Sequence, residues 1–207
     1  MLTREGRPSL ADGIALGLIA TGAVSVGIGA IVAVTSAASE IFGATPTVSM
    51  PVHDVDLTAL DDVAGVSAAT VDTALVTVPA MPTGARWMLL LEVALPALAT
   101  VALCAGVWWL GVSFIRSRPF RASLGWMFGV AASLMIAGSL FGQFAGGIGR
   151  AMIVQDLANT DPQVEDVLWT LLLEFDLAPV GWAFALALVA GLFEIGRRLQ
   201  RETEGLV

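Results

Sequence analysis

The chain has 207 residues, 57% of them hydrophobic and only 14% charged, with a mean hydropathy of +0.83. A soluble domain carries roughly a quarter charged residues, so this apolar surplus excludes a water-soluble enzyme and points to a membrane protein. The formal charge of −8 acquires meaning only once it is sorted by side of the membrane.

Four apolar stretches reach the length of about 20 residues that a helix needs to cross a bilayer. The first runs over about 13–37, behind Arg4 and Arg7. Its apolar run is longer than the roughly 7–15 residues of a signal-peptide core, so it reads as a retained span. The small residues Thr35-Ser36-Ala37-Ala38 leave cleavage as the lesser alternative.

The connection 38–86 is long enough for a small subdomain. Thr47–Val52 and Ala74–Pro79 are rich in β-branched residues and bounded by prolines, which predicts two short strands. Pro51 and Pro79 favour strand edges or ends, and Asp61–Gly65 reads as a turn. His53-Asp54-Val55-Asp56 with Asp61, Asp62 and Asp72 does not follow the calcium-loop spacing, since Gly65 stands where that loop needs glutamate. Solubility or weak cation attraction accounts for these acids, and no resident metal is expected.

The second span covers about 87–115 and holds Glu92, with Pro96 four residues on. An ionisable group inside a span is costly and is a functional candidate by default. The structural alternative, which we favour, is headgroup exposure or an ion pair with Arg86 or Arg150. Arg116-Ser117-Arg118-Pro119-Phe120-Arg121 forms a short basic turn into the third span, about 122–149. Each arginine gains about 1 kcal/mol near an anionic lipid surface, so lipid attraction is the first reading and docking of an acidic cytosolic partner the sharper one.

In the third span Gly125 and Gly129, then Gly138, Gly142 and Gly146, form a ladder of small residues at four-residue spacing. Such ladders let helices approach closely, within the bundle or in a homo-oligomer. Gln143 is the polar group here that matches Glu92 as an intramembrane candidate. The connection 150–176 is acidic, turns at Asn159, Asp161 and Pro162, and becomes apolar at Val167–Leu173. That stretch opens the last helix, lies along the interface or adds a strand to the sheet. Asp176 as cap and Pro179 in the first turn favour a later start, for a span of about 177–196.

Eight of the ten arginines then fall on one side, leaving Arg86 and Arg150 on the other. The positive-inside rule puts both termini in the cytoplasm. Five acidic residues accompany the eight inner arginines, giving +3, and twelve accompany the outer two, giving −10; Glu92 completes the −8. Trp87, Trp169 and Trp182 fall towards the outer interface and Trp108, Trp109 and Trp126 towards the inner one, where amphipathic rings are favoured. The expected fold is an all-α membrane protein, a four-helix transmembrane bundle with a small β-containing extracytoplasmic cap.

Cys104 and His53, each the single residue of its type, argue against a disulfide, a thiolate metal site or a histidine-based triad. No phosphate loop, nucleophile elbow, zinc-protease motif or nucleic-acid module is written in the chain. No catalytic residue and no cofactor are therefore expected, and no direct contact with nucleic acid. Arg118-Pro119-Phe120-Arg121, the helix ending Phe193-Glu194-Ile195-Gly196-Arg197-Arg198-Leu199 and the tail Glu202–Val207 carry a resemblance. The layout resembles a family of small four-helix bacterial inner-membrane proteins known as a domain of unknown function. Two departures are the position of Gly196, before rather than after the arginine pair, and the absence of a terminal threonine. Genes of such families often lie beside those of small helix-turn-helix regulators. The resemblance thus implies a cytosolic regulator as partner; the charge pattern itself makes Arg116, Arg118, Phe120, Arg121, Arg197 and Arg198 the candidate docking residues.

Overall fold

The computed structural model describes residues 10–56, 70–115, 123–173 and 175–204. It is mostly helical. The elements are α1 (Leu10–Ile41), β1 (Thr47–Asp56), β2 (Thr70–Thr77), α2 (Thr83–Ile115), α3 (Ser123–Ala158), a one-turn α4 (Val164–Val167) and α5 (Ala178–Glu204). Four of the helices are long and apolar enough to cross a membrane, over Gly17–Ile41, Thr83–Trp109, Trp126–Ala158 and Ala178–Gly196.

These helices coincide with the four expected spans but overrun their ends. The third span was expected to stop near Gly149, yet α3 continues to Ala158. The continuation Arg150–Ala158 is built mostly of good helix formers, and it buries Ile153 and Val154 almost completely. The second helix likewise begins at Thr83 rather than Trp87, because Ala85, with no exposed surface, packs in the same cluster. Packing, not the limit of the apolar run, sets both ends. At the other end of the 150–176 connection, α5 starts where expected. The Asp176 carboxylate accepts from the Ala178 N–H at 2.9 Å, and Pro179 sits in the first turn.

The chain divides into two compact units. The sheet-bearing unit comprises Val34–Ala94 and Leu140–Phe175. In it β1 and β2 pair antiparallel, from Thr47 opposite Thr77 to Asp56 opposite Thr70. Both strands reach further toward their connection than the expected 47–52 and 74–79; Val78 and Pro79 lie outside β2. The turn expected at Asp61–Gly65 lies outside the described residues. Between Pro51 and Val55 the register slips. This bulge follows Pro51, which has no N–H to give a ladder.

Alternate residues of β1, Val48, Met50 and Val52, are buried, as the two-residue period of a strand requires. They meet Val78, Met81, Ala85, Leu89, Ile153, Val154 and Leu168 in one core. On its other edge β1 touches the apolar 167–173 stretch through a single bridge, Val52 to Leu168, and the Trp169 N–H donates to the Pro51 carbonyl at 3.3 Å. Of the three roles open to that stretch, the strand role is met by this one bridge alone: Val167 ends α4, and residues 169–173 are neither helix nor strand.

The helical unit comprises Met1–Ala33, Leu95–Ser139 and Asp176–Val207. Its buried residues are mainly small, with Ala99, Ala131, Ala132, Ser139 and Ala183 joined by Phe128. A Cβ added at Gly138 would stand 2.8 Å from the Leu95 carbonyl oxygen, and one at Gly27 would touch the Cys104 Cβ at 3.5 Å. At Gly138 glycine is what lets the backbones approach, whereas the contact at Gly27 is an ordinary one.

Candidate functional site

The site lies within the sheet-bearing unit and is assembled around Arg150. On α3 the residues Gln143, Gly147 and Arg150 recur at helical spacing and share a face. The Arg150 Nη2 donates to Glu92 Oε1 at 2.8 Å, and its Nε donates to the Ser49 carbonyl at 3.1 Å. One guanidinium thus ties α3 to α2 and to β1. Glu92 follows Leu89 and Ala85 along the core-facing side of α2. Pro96, lacking an N–H, leaves the Glu92 carbonyl without its normal helical donor.

Two adjacent glycines make the space. A Cβ at Gly146 would overlap the Glu92 carboxylate, and one at Gly147 would overlap the Leu173 side chain. Gly149 continues the close contact, with Leu89 and Met88 each 3.1 Å from a notional Cβ. The result is a cavity of about 140 Å³ lined by Ser49, Pro51, Thr73, Glu92, Gln143, Gly147, Arg150 and Leu172. Glu92 and Arg150 keep 27% and 28% of their side-chain surface exposed, so the pair is reachable from outside the protein.

The structure therefore brings together the two intramembrane candidates of the sequence, Glu92 and Gln143, and adds Arg150 as the partner. Of the two arginines considered for Glu92, Arg86 is committed elsewhere. Its Nη1 donates to the carbonyls of Ile41 at 3.0 Å and Gly43 at 3.2 Å, and its Nε to that of Met81 at 3.3 Å. It thereby satisfies carbonyls at the C-terminus of α1, which otherwise lack donors. A single arginine just before a span was the only trace of this in the sequence. Ser49, Thr73, Gly147 and Leu172 had no signal beyond the unusual Gly146-Gly147 pair inside a helix.

The glycine ladder divides. Gly138 admits the α2 backbone and Gly146 admits the Glu92 carboxylate, whereas Gly129 faces open space among the described residues. Gly142 is buried. Gly125 lies in α3, and its surroundings fall outside the described side chains. The basic docking candidates Arg116, Arg118, Phe120 and Arg121 lie outside the described residues. Arg197 and Arg198 belong to α5, with side chains outside the description.

His53 stacks on Trp169, ring centroids 4.1 Å apart at 31°. The side chains of Asp54, Asp56, Asp61 and Asp62 are outside the description, while Asp72 accepts from the Thr73 hydroxyl at 3.4 Å. Among the described residues no three His, Cys, Asp or Glu side chains gather as a metal site. The arrangement offers a charge-balanced, hydrogen-bonding recess rather than a nucleophile beside a base. Comparison with family models, curated proteins and solved structures finds no match to this chain.

Proposed function

We propose that this chain is a multi-pass protein of a bacterial cytoplasmic membrane, both termini in the cytoplasm, that works by interaction rather than catalysis. The observation carrying this reading is the segregation of charge along four apolar helices. With those four helices taken as spans, eight arginines fall at the helix ends and connection of one side and twelve acidic residues at those of the other, Glu40 and Asp156 within the last turns of their helices. The basic Arg116–Arg121 turn and the tail bearing Arg197 and Arg198 are then the cytoplasmic docking surface, and the family resemblance suggests a helix-turn-helix regulator as partner. Crosslinking in native membranes tests it. A cytosolic regulator recovered with the wild type and lost with Arg118→Glu/Arg121→Glu, insertion being intact, is the expected result. An unchanged set of partners sinks the docking reading.

A second reading, a small transport or channel accessory, is favoured by one observation: Glu92 and Gln143 line the same cavity. The Glu92–Arg150 ion pair weighs against a free proton or cation carrier, since it gives the carboxylate a structural partner. Ion or proton flux in proteoliposomes that is identical for wild type and Glu92→Gln removes this reading.

A further inference from the structure

We infer that the cavity walled by Glu92 and Arg150 binds a small zwitterion, a molecule carrying an ammonium group and an acidic group a few bonds apart. The proposal deepens the second reading above by naming a ligand class for the same residues. Two properties of the recess carry it: charge and size.

The walls hold one carboxylate and one guanidinium, 2.8 Å apart. A lone cation or anion entering there competes for one partner and leaves the other group uncompensated, which is costly away from bulk water. A zwitterion supplies both charges, its ammonium to Glu92 and its acidic group to Arg150, and the recess stays balanced. A guanidinium has five N–H donors. Among the described residues two of them are engaged, by the Ser49 carbonyl and by Glu92 Oε1. Gln143, Ser49 and Thr73 are neutral polar residues of the lining.

A volume of about 140 Å³ is of the size that takes up a small organic molecule, about that of an engineered cavity that binds benzene. That is room for a small amino acid or a phosphoethanolamine headgroup. The two glycines of α3 let the walls close in, Gly146 admitting the Glu92 carboxylate and Gly147 the Leu173 side chain.

The same chemistry comes from two sources, a free amino acid or the headgroup of phosphatidylethanolamine, and the test separates them. Full-length protein, purified and delipidated in detergent, is titrated calorimetrically with glycine and with phosphoethanolamine. Ethanolamine and phosphate serve as single-charge controls. In parallel it is reconstituted in nanodiscs of mixed phosphatidylethanolamine and phosphatidylglycerol, and the retained lipid is quantified. Saturable binding of a zwitterion at least tenfold tighter than either single-charge control supports the proposal. Glycine in solution then marks a solute site, and selective phosphatidylethanolamine retention a lipid site. Glu92→Gln and Arg150→Gln should each weaken binding tenfold or more. Thr73→Phe, at an exposed position of the lining, should abolish it without lowering the unfolding midpoint, which keeps the test decisive if the charge variants fail to fold. No saturable binding by wild type, controls that bind equally well, or full binding by Thr73→Phe would each overturn the proposal. Zwitterion binding without any flux leaves the site standing and removes only the transport reading.

Discussion

The two units of this chain bury opposite kinds of residue. The sheet-bearing unit hides Met50, Ile153, Val154, Leu89 and Leu168 in one cluster, the pattern that removal of apolar area from water produces. The helical unit hides Ala99, Ala131, Ala132 and Ala183, and leaves Leu18, Ile28, Trp126, Leu188 and Leu192 more than half exposed. In lipid there is no hydrophobic force between helices; small residues at the contact let van der Waals packing do the work, and large apolar side chains face the acyl chains. The contrast lies in what is buried: Leu89, Ile153 and Val154 sit on helices long and apolar enough to cross a membrane, and Trp87 and Phe141 of the sheet-bearing unit are more than half exposed as well. The first and last apolar helices, with only 6% of each span buried, are the clearest case.

Substitutions can break this comparison. The largest effect is expected in the sheet-bearing core, where Met50 is 1% exposed. Met50→Ala should cost about 2–5 kcal/mol, as cavities in water-facing cores do, read as lost resistance to denaturant in detergent. A negligible cost would mean that this cluster is not a water-driven core. Next comes the ion pair. Arg150→Met leaves Glu92 without its partner and Ser49 without its donor; with both side chains over a quarter exposed, the expected loss is about 1–3 kcal/mol, below the value for a fully buried pair. Glu92→Gln should lose less, because it leaves no uncompensated carboxylate.

The smallest effects sharpen the helical side of the contrast. Gly138→Ala drives a methyl group against the Leu95 carbonyl and should destabilise by about 1–3 kcal/mol, the usual cost of overpacking. Gly129→Ala meets nothing within 4 Å and should be neutral or stabilising by up to about 1 kcal/mol, since alanine is the better helix former. A large loss at Gly129 would instead reveal a helix packed on it from another chain.

Much of this fold is legible in the sequence because each cue is local. The four spans follow from run length, the strand positions from β-branched residues between prolines, and the start of α5 from Asp176 and Pro179. The illegible parts depend on which faces meet. The continuation of α3 to Ala158 reflects burial of Ile153 and Val154, which no local pattern announces. The partner of Glu92 narrows to Arg86 or Arg150 by side of the membrane, but the choice rests on the register of α3 against α2 across 58 residues of sequence. Gly146 reads as a helix-contact glycine, yet its empty side accommodates a carboxylate. The sharing of one cavity by Ser49, Thr73 and Leu172 is likewise a product of tertiary packing.

The central claim is the polarised topology, with the sheet-bearing connection outside and the tail inside. Cys104 is the sole cysteine, so a Cys104→Ser background permits single-cysteine labelling with a membrane-impermeant maleimide. Leu75→Cys, at a β2 position that is 77% exposed, should label in intact cells, and Gln200→Cys only after the membrane is opened. Labelling of Gln200→Cys in intact cells, with Leu75→Cys protected until lysis, would contradict the topology and the assignment of the basic turn to the cytoplasm.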